Sequence, residues 1–307
     1  MRFPSLGTKT KRSVTIEDVI EQMSERYSVD DQDLVQRAHL FSVRAHHGQL
    51  RKSGEPYVVH PLAVAMILAE QRLDATSIAV GLLHDVLEDT QADSQRVQEE
   101  FGEEVLSLVE GVTQISKISF TTREQEQAEN FRKLLLAMVE DIRVLFVKLA
   151  DRFHNMRTLA HLSPDAQLHN AHETMEIYAP LAQRLGMGRL QVQLEDLALE
   201  YSEPDAYREL VKQVESQPRV RDAFIARVRS RIEEELSSQK IEARVEHRVK
   251  GYASLHKKLS ASVRELDQIY DVVAFRIITD NVKNCYASLG LVHGLWRPVP
   301  GRFKDFI

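Results

Sequence analysis

The sequence predicts a mainly α protein, in which an all-helical domain is followed by the start of an α+β domain. Two observations favour this fold class: apolar residues recur with helical spacing in nearly every segment from about residue 15 to 200, and after residue 239 they alternate as in a strand. A length of 307 residues is enough for two domains. We expect a helical domain over 1–200, a helical connector over 201–238 and the α+β segment over 239–307.

The predicted helices follow one another along the first two thirds of the chain. Thr15 has the position of an N-cap before IEDVIEQMSERY. The same period continues in the segments VQRAHLFSVRAH, AVAMILAEQ, SIAVGLLHDVLED, VQEEFGEEVLSLVEGV, NFRKLLLAMVED, RVLFVKLADRFHNMRTL and HETMEIYAPLAQRL. Two further helices, SEPDAYRELVKQV and VRDAFIARVRSRIEEELSSQ, are more polar and are punctuated by Pro204 and Pro218, which favours a connecting region.

The α+β segment begins with KIEARVEHRVK, in which apolar and charged residues alternate. This alternation predicts a strand with one polar face. A short helix to about residue 264, the apolar strand QIYDVVAFRIIT and a helix through NCYASLGLVHGLW follow. About seventy residues are few for such a domain, so we expect it to be cut short at Ile307.

Composition excludes several classes of protein. A net charge of −6 argues against a broad nucleic-acid-binding surface, so no direct DNA binding is expected. The single cysteine, Cys285, excludes an internal disulfide and a thiolate zinc site. No signal peptide and no membrane span is evident, which together with the lone cysteine predicts a cytoplasmic protein. The basic clusters at Arg51–Lys52 and in RVKGYASLHKK suit a small phosphorylated ligand.

Four ionisable residues interrupt an apolar helix in GLLHDVLEDT, residues 81–90. His84, Asp85, Glu88 and Asp89 fall within roughly 140° of a helical wheel, and aliphatic residues fill most of the rest. Three carboxylates that leave water together need a positive charge among them, which a metal ion would supply. The alternative is a surface helix with an acidic stripe, because charge runs are usually solvated faces.

Donors in three separate segments predict a mononuclear metal site. His60 follows the turn-like RKSGEP, His84 and Asp85 lie in GLLHDVLEDT, and Asp151 lies in VKLADRFHN. Two imidazoles and two carboxylates suit manganese, iron, zinc or magnesium, and the sequence does not choose among them. Each residue taken singly also fits a capping histidine or a salt-bridged aspartate. Their recurrence on apolar helices of one domain favours the metal.

Further polar residues near these donors suit phosphate chemistry. Glu88 and Asp89 lie one helical turn after His84 and Asp85, where they could orient and deprotonate a water bound to the ion. Arg51 and Lys52 would counter phosphate charge. Asn155 and Thr158 share the helix face of Asp151.

Together, RKSGEPYVVHP, GLLHDVLEDT and VKLADRFHNMRTL resemble, in order and spacing, the hydrolase domain of the long Rel/SpoT homologues, which belongs to the HD phosphohydrolases. The resemblance covers essentially residues 15–307. It implies removal of the 3′-pyrophosphate from guanosine tetra- and pentaphosphate (ppGpp and pppGpp), which regenerates GDP or GTP. It assigns metal, water-activating and nucleotide-binding roles: His60, His84, Asp85 and Asp151 would hold Mn²⁺, Glu88 and Asp89 would activate water, and Arg51, Lys52, Ser53, Asn155 and Thr158 would contact the nucleotide.

A second group of residues suits a polyphosphate. Arg248 and Lys250 lie on one face of the predicted strand, and Ser254 and Lys258 are four residues apart on the next helix. They could direct three cations and a hydroxyl at a triphosphate. Asp271 is an acid within the apolar strand QIYDVVAFRIIT. A solvated basic helix beside an edge-strand aspartate is an equal alternative.

RVKGYASLHKKL and IYDVVAFRI resemble the start of the synthetase domain of the same family, which has a nucleotidyltransferase-like fold and transfers pyrophosphate from ATP to GDP or GTP. The resemblance implies that Arg248, Lys250, Ser254 and Lys258 contact the ATP phosphates and that Asp271 binds Mg²⁺. Two departures concern the ATP site: Val249 replaces a usual proline, and Tyr252 precedes the usual aromatic position, which holds Ala253. The family's second magnesium-binding acid and guanine-stacking tyrosine are missing, so no synthesis is expected from this chain.

Two alternatives to alarmone hydrolysis remain open on the sequence. One is an HD hydrolase of another nucleotide, such as a deoxynucleoside triphosphate. The other is a silent regulatory module that binds a nucleotide and signals to the missing C-terminal regions or, through them, to the ribosome. Glu88 and Asp89 argue against the silent module, because pure binding does not require a water-activating pair.

Overall fold

Contacts divide the chain into two units, one ending at Ser202 and the other beginning at Glu203. The computed structural model describes residues 13–23, 26–116, 141–220, 222–261, 269 and 271–306. Within these residues the first unit is entirely helical, and the second combines helices with a two-stranded sheet. The predicted fold class, mainly α with a short α+β segment, is confirmed. The predicted division into a domain, a connector and a partial domain stays a prediction.

The described helices of the first unit are short to medium in length. They are α1 (Ile16–Met23), α2 (Val29–Ala45), α3 (Val59–Glu70), α4 (Ala75–Leu83), α5 (Val86–Asp89), α6 (Ser94–Phe101), α7 (Glu103–Ser116), α8 (Arg143–Arg157), α9 (Pro164–Glu173), α10 (Ala179–Arg184) and α11 (Gly188–Ser202). A short 3₁₀ helix (Leu159–His161) follows α8, and a π-helical segment (Thr174–Tyr178) joins α9 to α10. The predicted helix NFRKLLLAMVED lies outside the described residues except for its last residue.

Side-chain caps fix where several of these helices begin. The Thr15 N–H donates to Asp18 Oδ2 at 2.9 Å, and the Asp18 N–H donates to Thr15 Oγ1 at 3.4 Å, so the predicted cap is present. Ser28 and Asp31 form the same reciprocal pair at the start of α2. Asp74 accepts a hydrogen bond from the Ser77 N–H at the start of α4. Each cap satisfies backbone donors that the first helical turn leaves unpaired.

Helices α3 and α4 form the centre of the helical unit and are apolar on nearly all sides. Buried residues occupy most of both helices, which is expected of elements surrounded by protein. At Gly81, a Cβ atom would lie 2.5 Å from Leu68 Cδ1 and 3.5 Å from Ala65 Cα. The missing side chain therefore lets α4 lie directly against the backbone of α3.

The segment SIAVGLLHDVLED is not the single helix that its period predicts. Helix α4 ends at Leu83 and α5 begins at Val86, so His84 and Asp85 lie in a turn between them. Neighbouring side chains of a continuous helix point about 100° apart. In this turn the two side chains meet instead, with His84 Nε2 3.1 Å from Asp85 Oδ2.

The second unit packs helices on one face of a small sheet. Its elements are α12 (Pro204–Ser216), a 3₁₀ turn (Pro218–Val220), α13 (Asp222–Ser238), β1 (Ala243–Val249), α14 (Tyr252–Ser260), β2 (Val273–Thr279) and α15 (Val282–Leu295). The strands are antiparallel, with Ala243 opposite Thr279 and Val249 opposite Val273. The predicted second strand was too long at its start, and Asp271 lies two residues before β2 rather than within it. Among the described helices, none has both the length and the apolar composition to cross a bilayer.

Candidate metal and nucleotide site

A cavity of about 460 Å³ opens on the helical unit where the α2–α3 loop, the α4–α5 turn and helix α8 meet. Every residue predicted for the hydrolase site lines it except His84, which lies buried beneath. The predicted lining residues are Arg51, Lys52, Ser53, His60, Asp85, Glu88, Asp89, Asp151, Asn155 and Thr158. The fold thus brings three distant segments together, although their individual roles stay predictions.

Three buried side chains at this site form a group that could hold a metal ion. One ligand atom from each of His60, His84 and Asp151 lies within 4.8 Å of the others. Asp85, the fourth predicted ligand, is outside that group and somewhat more exposed. Its Oδ2 atom nevertheless lies 3.1 Å from His84 Nε2 and 3.5 Å from His60 Nε2. The donor set contains imidazole nitrogen and carboxylate oxygen, which suits several divalent cations.

The surroundings of His84 fit a bound cation. Its Nδ1 lies 3.0 Å from the Gly81 carbonyl oxygen, which can only accept, so Nδ1 carries the proton of the neutral ring. The other nitrogen, Nε2, is buried without a hydrogen-bond partner. It lies 3.1 Å from Asp85 Oδ2 and 3.9 Å from Asp151 Oδ1. A lone pair facing carboxylates needs a proton or a metal ion between them.

Charges within the site shift the pKa values of its members strongly. Burial lowers the pKa of His84, but Asp85 and Asp151 outweigh burial and raise that pKa to about 9. Burial raises the pKa of Asp85, yet the imidazoles of His84 and His60 hold it well below its usual range. The pKa of Asp151 is also lowered, against burial, chiefly by Lys148. Both carboxylates are therefore ionised and available to a cation at neutral pH.

Two residues that sequence reasoning missed contact these carboxylates. The Lys148 ammonium group lies 2.8 Å from Asp151 Oδ2, one helical turn before it. The Tyr57 hydroxyl lies 2.8 Å from Asp85 Oδ2 and 2.6 Å from Asp89 Oδ2. Both residues stand inside the motifs that were singled out, so position within a motif was the available signal. The partner of Lys148 follows from helical spacing, whereas the partners of Tyr57 are about 30 residues away and are brought to it by the fold.

The loop before α3 places the predicted phosphate-binding cations at the cavity. An isolated β-bridge pairs Leu50 with Pro56, and Gly54 adopts a φ of 84°, which closes the loop tightly. Arg51 lies inside the loop, and its NH2 group donates to Asn155 Oδ1 at 3.0 Å. Lys52 is exposed. The loop therefore holds one cation against α8 and leaves the other facing solvent.

The remaining predicted contacts lie on α8, at its C-cap and on α5. Asn155 Nδ2 donates to Asp151 Oδ1 at 2.5 Å. The Thr158 hydroxyl donates to the Asn155 carbonyl oxygen at 3.2 Å, so it is tied to the end of the helix. Glu88 and Asp89 are exposed at the cavity. These two acids are accessible to a substrate, as a water-activating pair would need to be.

In the second unit, three of the residues predicted for an ATP site form a cluster of two cations and one acid. Lys250 Nζ lies 2.7 Å from Asp271 Oδ2, and Lys258 Nζ lies 2.8 Å from the same oxygen. Arg248 is exposed on β1, and Ser254 is half-buried in the first turn of α14. The predicted Mg²⁺ ligand Asp271 is thus paired with two lysines.

The titration of Asp271 tests this cluster. Burial raises the pKa of Asp271, but Lys250 and Lys258 together lower it to about 2. Because this pKa lies below the ordinary value of 3.8, the ion pairs stabilise the protein above about pH 4, and their contribution is lost as the pH falls through about 2. We expect carbon NMR titration to show a higher pKa in Lys258→Met. The control is Lys257→Met, and an unchanged pKa in Lys258→Met would contradict the contact.

Comparison with known proteins matches two regions of the chain. An HD domain is matched over residues 38–188, and the region found in RelA and SpoT proteins is matched over residues 247–307. The chain is 47% identical over 288 residues to a GTP pyrophosphokinase of Myxococcus xanthus, which covers 93% of this chain and 38% of the relative. It is 44% identical over 289 residues to the bifunctional (p)ppGpp synthase/hydrolase SpoT of Escherichia coli K12, covering 94% and 41%.

The chain thus spans about two fifths of the length of these curated relatives. A solved structure, described as a metazoan ortholog of SpoT that hydrolyzes ppGpp, covers 56% of this chain and 94% of that chain at 26% identity. Its TM-score of 0.40 is too low to support an argument. The family predicted from three motifs is confirmed by the two matched regions. With an HD domain, the RelA/SpoT region and this identity over most of its length, the chain belongs to the RelA/SpoT family.

Proposed function

We propose that this chain hydrolyses the 3′-pyrophosphate of guanosine tetra- and pentaphosphate, giving GDP or GTP and pyrophosphate. The observation that carries the proposal is the buried group of His60, His84 and Asp151 at the base of a cavity with basic residues at its rim. A relative at 43% identity, from Vibrio cholerae, is named guanosine-3′,5′-bis(diphosphate) 3′-pyrophosphohydrolase. We propose that the reaction takes place in the cytoplasm, because a chain with a single cysteine, which has no internal disulfide, suits a reducing compartment.

The proposed ligands of a divalent cation are His60, His84, Asp85 and Asp151. When bound, such a cation would lower the pKa of a water molecule and neutralise charge on a phosphoryl oxygen. Manganese is the cation we propose, on the family resemblance. The protein's part is to hold two imidazoles and two carboxylates close together. Lys148 supports this arrangement, because its contact with Asp151 keeps that carboxylate ionised.

Glu88 and Asp89 are the proposed proton acceptors for the attacking water. Both are exposed at the cavity, and the Asp89 carboxylate lies 2.6 Å from the Tyr57 hydroxyl. That hydroxyl has one proton to donate and lies within hydrogen-bond distance of both Asp85 and Asp89, so it donates to one carboxylate at a time. Tyr57 therefore holds Asp89, a proposed base, beside Asp85, a proposed metal ligand. This contact would fix the position at which Asp89 accepts a proton from the water.

The proposed contacts to the nucleotide are Arg51, Lys52, Ser53, Asn155 and Thr158. Lys52 is exposed and points a cation towards incoming phosphate charge. Asn155 and Thr158 lie four and seven residues after Asp151, at the cavity wall formed by α8. A guanine nucleotide bound along this wall would bring its 3′-diphosphate to the ligand cluster.

The test is a substrate panel with the purified chain and Mn²⁺. We expect pyrophosphate and GDP from guanosine tetraphosphate, GTP from the pentaphosphate, and little turnover of deoxynucleoside triphosphates. Faster turnover of a deoxynucleoside triphosphate would support an HD hydrolase of another nucleotide. Binding of the tetraphosphate without turnover would support a silent module. Elemental analysis of the protein as purified identifies the cation.

A second function is supported by the Lys250–Asp271–Lys258 cluster. We propose that Arg248, Lys250, Ser254 and Lys258 bind the phosphates of ATP and that Asp271 binds Mg²⁺ in the whole protein, as part of a pyrophosphate transfer to GDP or GTP. The lysines that pair with Asp271 would turn to the triphosphate when it and Mg²⁺ bind. Displacement of a fluorescent ATP analogue by ATP, weakened in Lys250→Met, tests the binding step alone. The ribosome stays a predicted partner of the whole protein.

A further inference from the structure

Two imidazole rings lie against each other beneath the rim of the cavity. His60 Nδ1 and His154 Nδ1 are 2.7 Å apart, and both residues are buried. At this distance one nitrogen must donate and the other accept, because two N–H groups would clash and two lone pairs would repel. The direction of this single hydrogen bond decides which nitrogen of His60 keeps a lone pair.

Arg51 fixes the direction of the bond. Its NH1 group lies 3.4 Å from His154 Nδ1, while its NH2 group donates to Asn155 Oδ1. A guanidinium group donates and never accepts, so His154 Nδ1 must be the acceptor. The contact is long, but a cation beside Nδ1 disfavours a proton there in any case. His60 Nδ1 therefore donates to His154, and the lone pair of the neutral His60 ring is on Nε2.

That lone pair faces the proposed metal position. His60 Nε2 lies 3.3 Å from Asp151 Oδ1 and 3.5 Å from Asp85 Oδ2. We propose that His154 is a positioning residue that accepts a hydrogen bond from His60, in a direction set by Arg51, and so presents the Nε2 lone pair of His60 to a divalent cation. The inference rests on the proposed metal site and adds His154 to it.

His60 differs from His84 in the partner of its Nδ1 atom. His84 Nδ1 bonds to the Gly81 carbonyl oxygen, which has lone pairs only and admits one direction. The partner of His60 is another imidazole, which can donate or accept at the same nitrogen. Arg51 removes this ambiguity, and it also lines the cavity. A second partner that orients a histidine ligand is typically worth 10- to 100-fold in metal affinity.

The test compares His154→Ala, which removes the acceptor, with His154→Asn, whose Oδ1 can replace Nδ1. The Arg51 guanidinium would hold that oxygen towards His60. A matched control is His39→Ala, on α2 and away from the cavity lining. Three quantities are measured: the tautomer of His60 by nitrogen NMR of metal-free protein at a pH where it is neutral, Mn²⁺ affinity by calorimetry, and folding by circular dichroism.

We expect wild type, His39→Ala and His154→Asn to keep the Nδ1–H tautomer of His60 and to bind Mn²⁺ within a few-fold of one another. His154→Ala should lose the tautomer preference and bind Mn²⁺ about 10- to 100-fold more weakly. Unchanged tautomer and affinity in folded His154→Ala would overturn the inference. If His154→Ala fails to fold, His154→Asn decides: retained affinity supports the role, and an Ala-like loss overturns it. A wild type that binds no divalent cation would instead defeat the proposed metal site.

Discussion

Replacing His84 by alanine is expected to abolish pyrophosphate release from guanosine tetraphosphate. The substitution removes the buried Nε2 atom that faces Asp85 and Asp151, and with it a proposed ligand; it also removes the contact of Nδ1 with the Gly81 carbonyl oxygen. Charge stabilisation by a metal ion is worth several kcal/mol, which corresponds to a loss on the order of a thousandfold or more in rate. The measurements are the rate of pyrophosphate release and the bound Mn²⁺ per chain, and both should fall together.

The matched control for His84→Ala is His172→Ala, a half-buried histidine of α9 that does not line the cavity. It should retain both the rate and the bound metal. A His84→Ala protein that is folded by circular dichroism and still turns over the tetraphosphate at the wild-type rate would refute the metal-site assignment. Loss of activity with full metal content would point to a different role for this histidine.

Replacing Glu173 by alanine is expected to lower the free energy of unfolding by about 3 to 5 kcal/mol. Arg152 NH2 donates to Glu173 Oε2 at 2.6 Å, and the guanidinium carbon lies 4.2 Å from the centre of the Tyr178 ring. The side chains of Arg152 and Glu173 are only 12% and 16% exposed, so the substitution leaves a nearly buried cation without its counter-charge. Urea unfolding followed by circular dichroism measures the effect.

An exposed ion pair supplies the control for this prediction. Asp205 pairs with Arg208 at 2.5 Å, but their side chains are 94% and 68% exposed. Asp205→Ala should therefore change the stability by less than about 1 kcal/mol. The double substitution Arg152→Met with Glu173→Leu should recover much of the loss, because it removes both charges. Equal effects of Glu173→Ala and Asp205→Ala would show that burial does not govern this pair.

Local periodicity predicted many of the described helices, because burying one apolar stripe requires the same spacing in any helical domain. Periodicity did not predict the end of α4, where an apolar run continues through a turn. The run through GLLHDVLED stays aliphatic on both sides of His84, so nothing in its spacing marks the break after Leu83. The break is recognisable only from the partners that His84 and Asp85 find in other segments.

The candidate site was predictable to the extent that its ligands belong to short motifs. His60 and Asp151 could be selected because a histidine or an aspartate on an apolar helix needs a partner. The sequence did not single out Tyr57, Lys148 or His154, because a tyrosine, a lysine or a histidine has many ordinary positions in a helical protein. Tyr57 and His154 make contacts across more than 20 residues, which the fold alone supplies, and Lys148 contacts Asp151 one helical turn away.

Gly81 links the packing of the helical unit to the candidate metal site. His60 is on the helix that Gly81 touches, and His84 follows three residues after Gly81 and bonds to its carbonyl oxygen. A side chain added at Gly81 would push apart α3, which carries His60, and α4, which His84 follows. A side chain at Gly81 would thus change the distance between His60 and His84, the two imidazoles proposed to bind one ion.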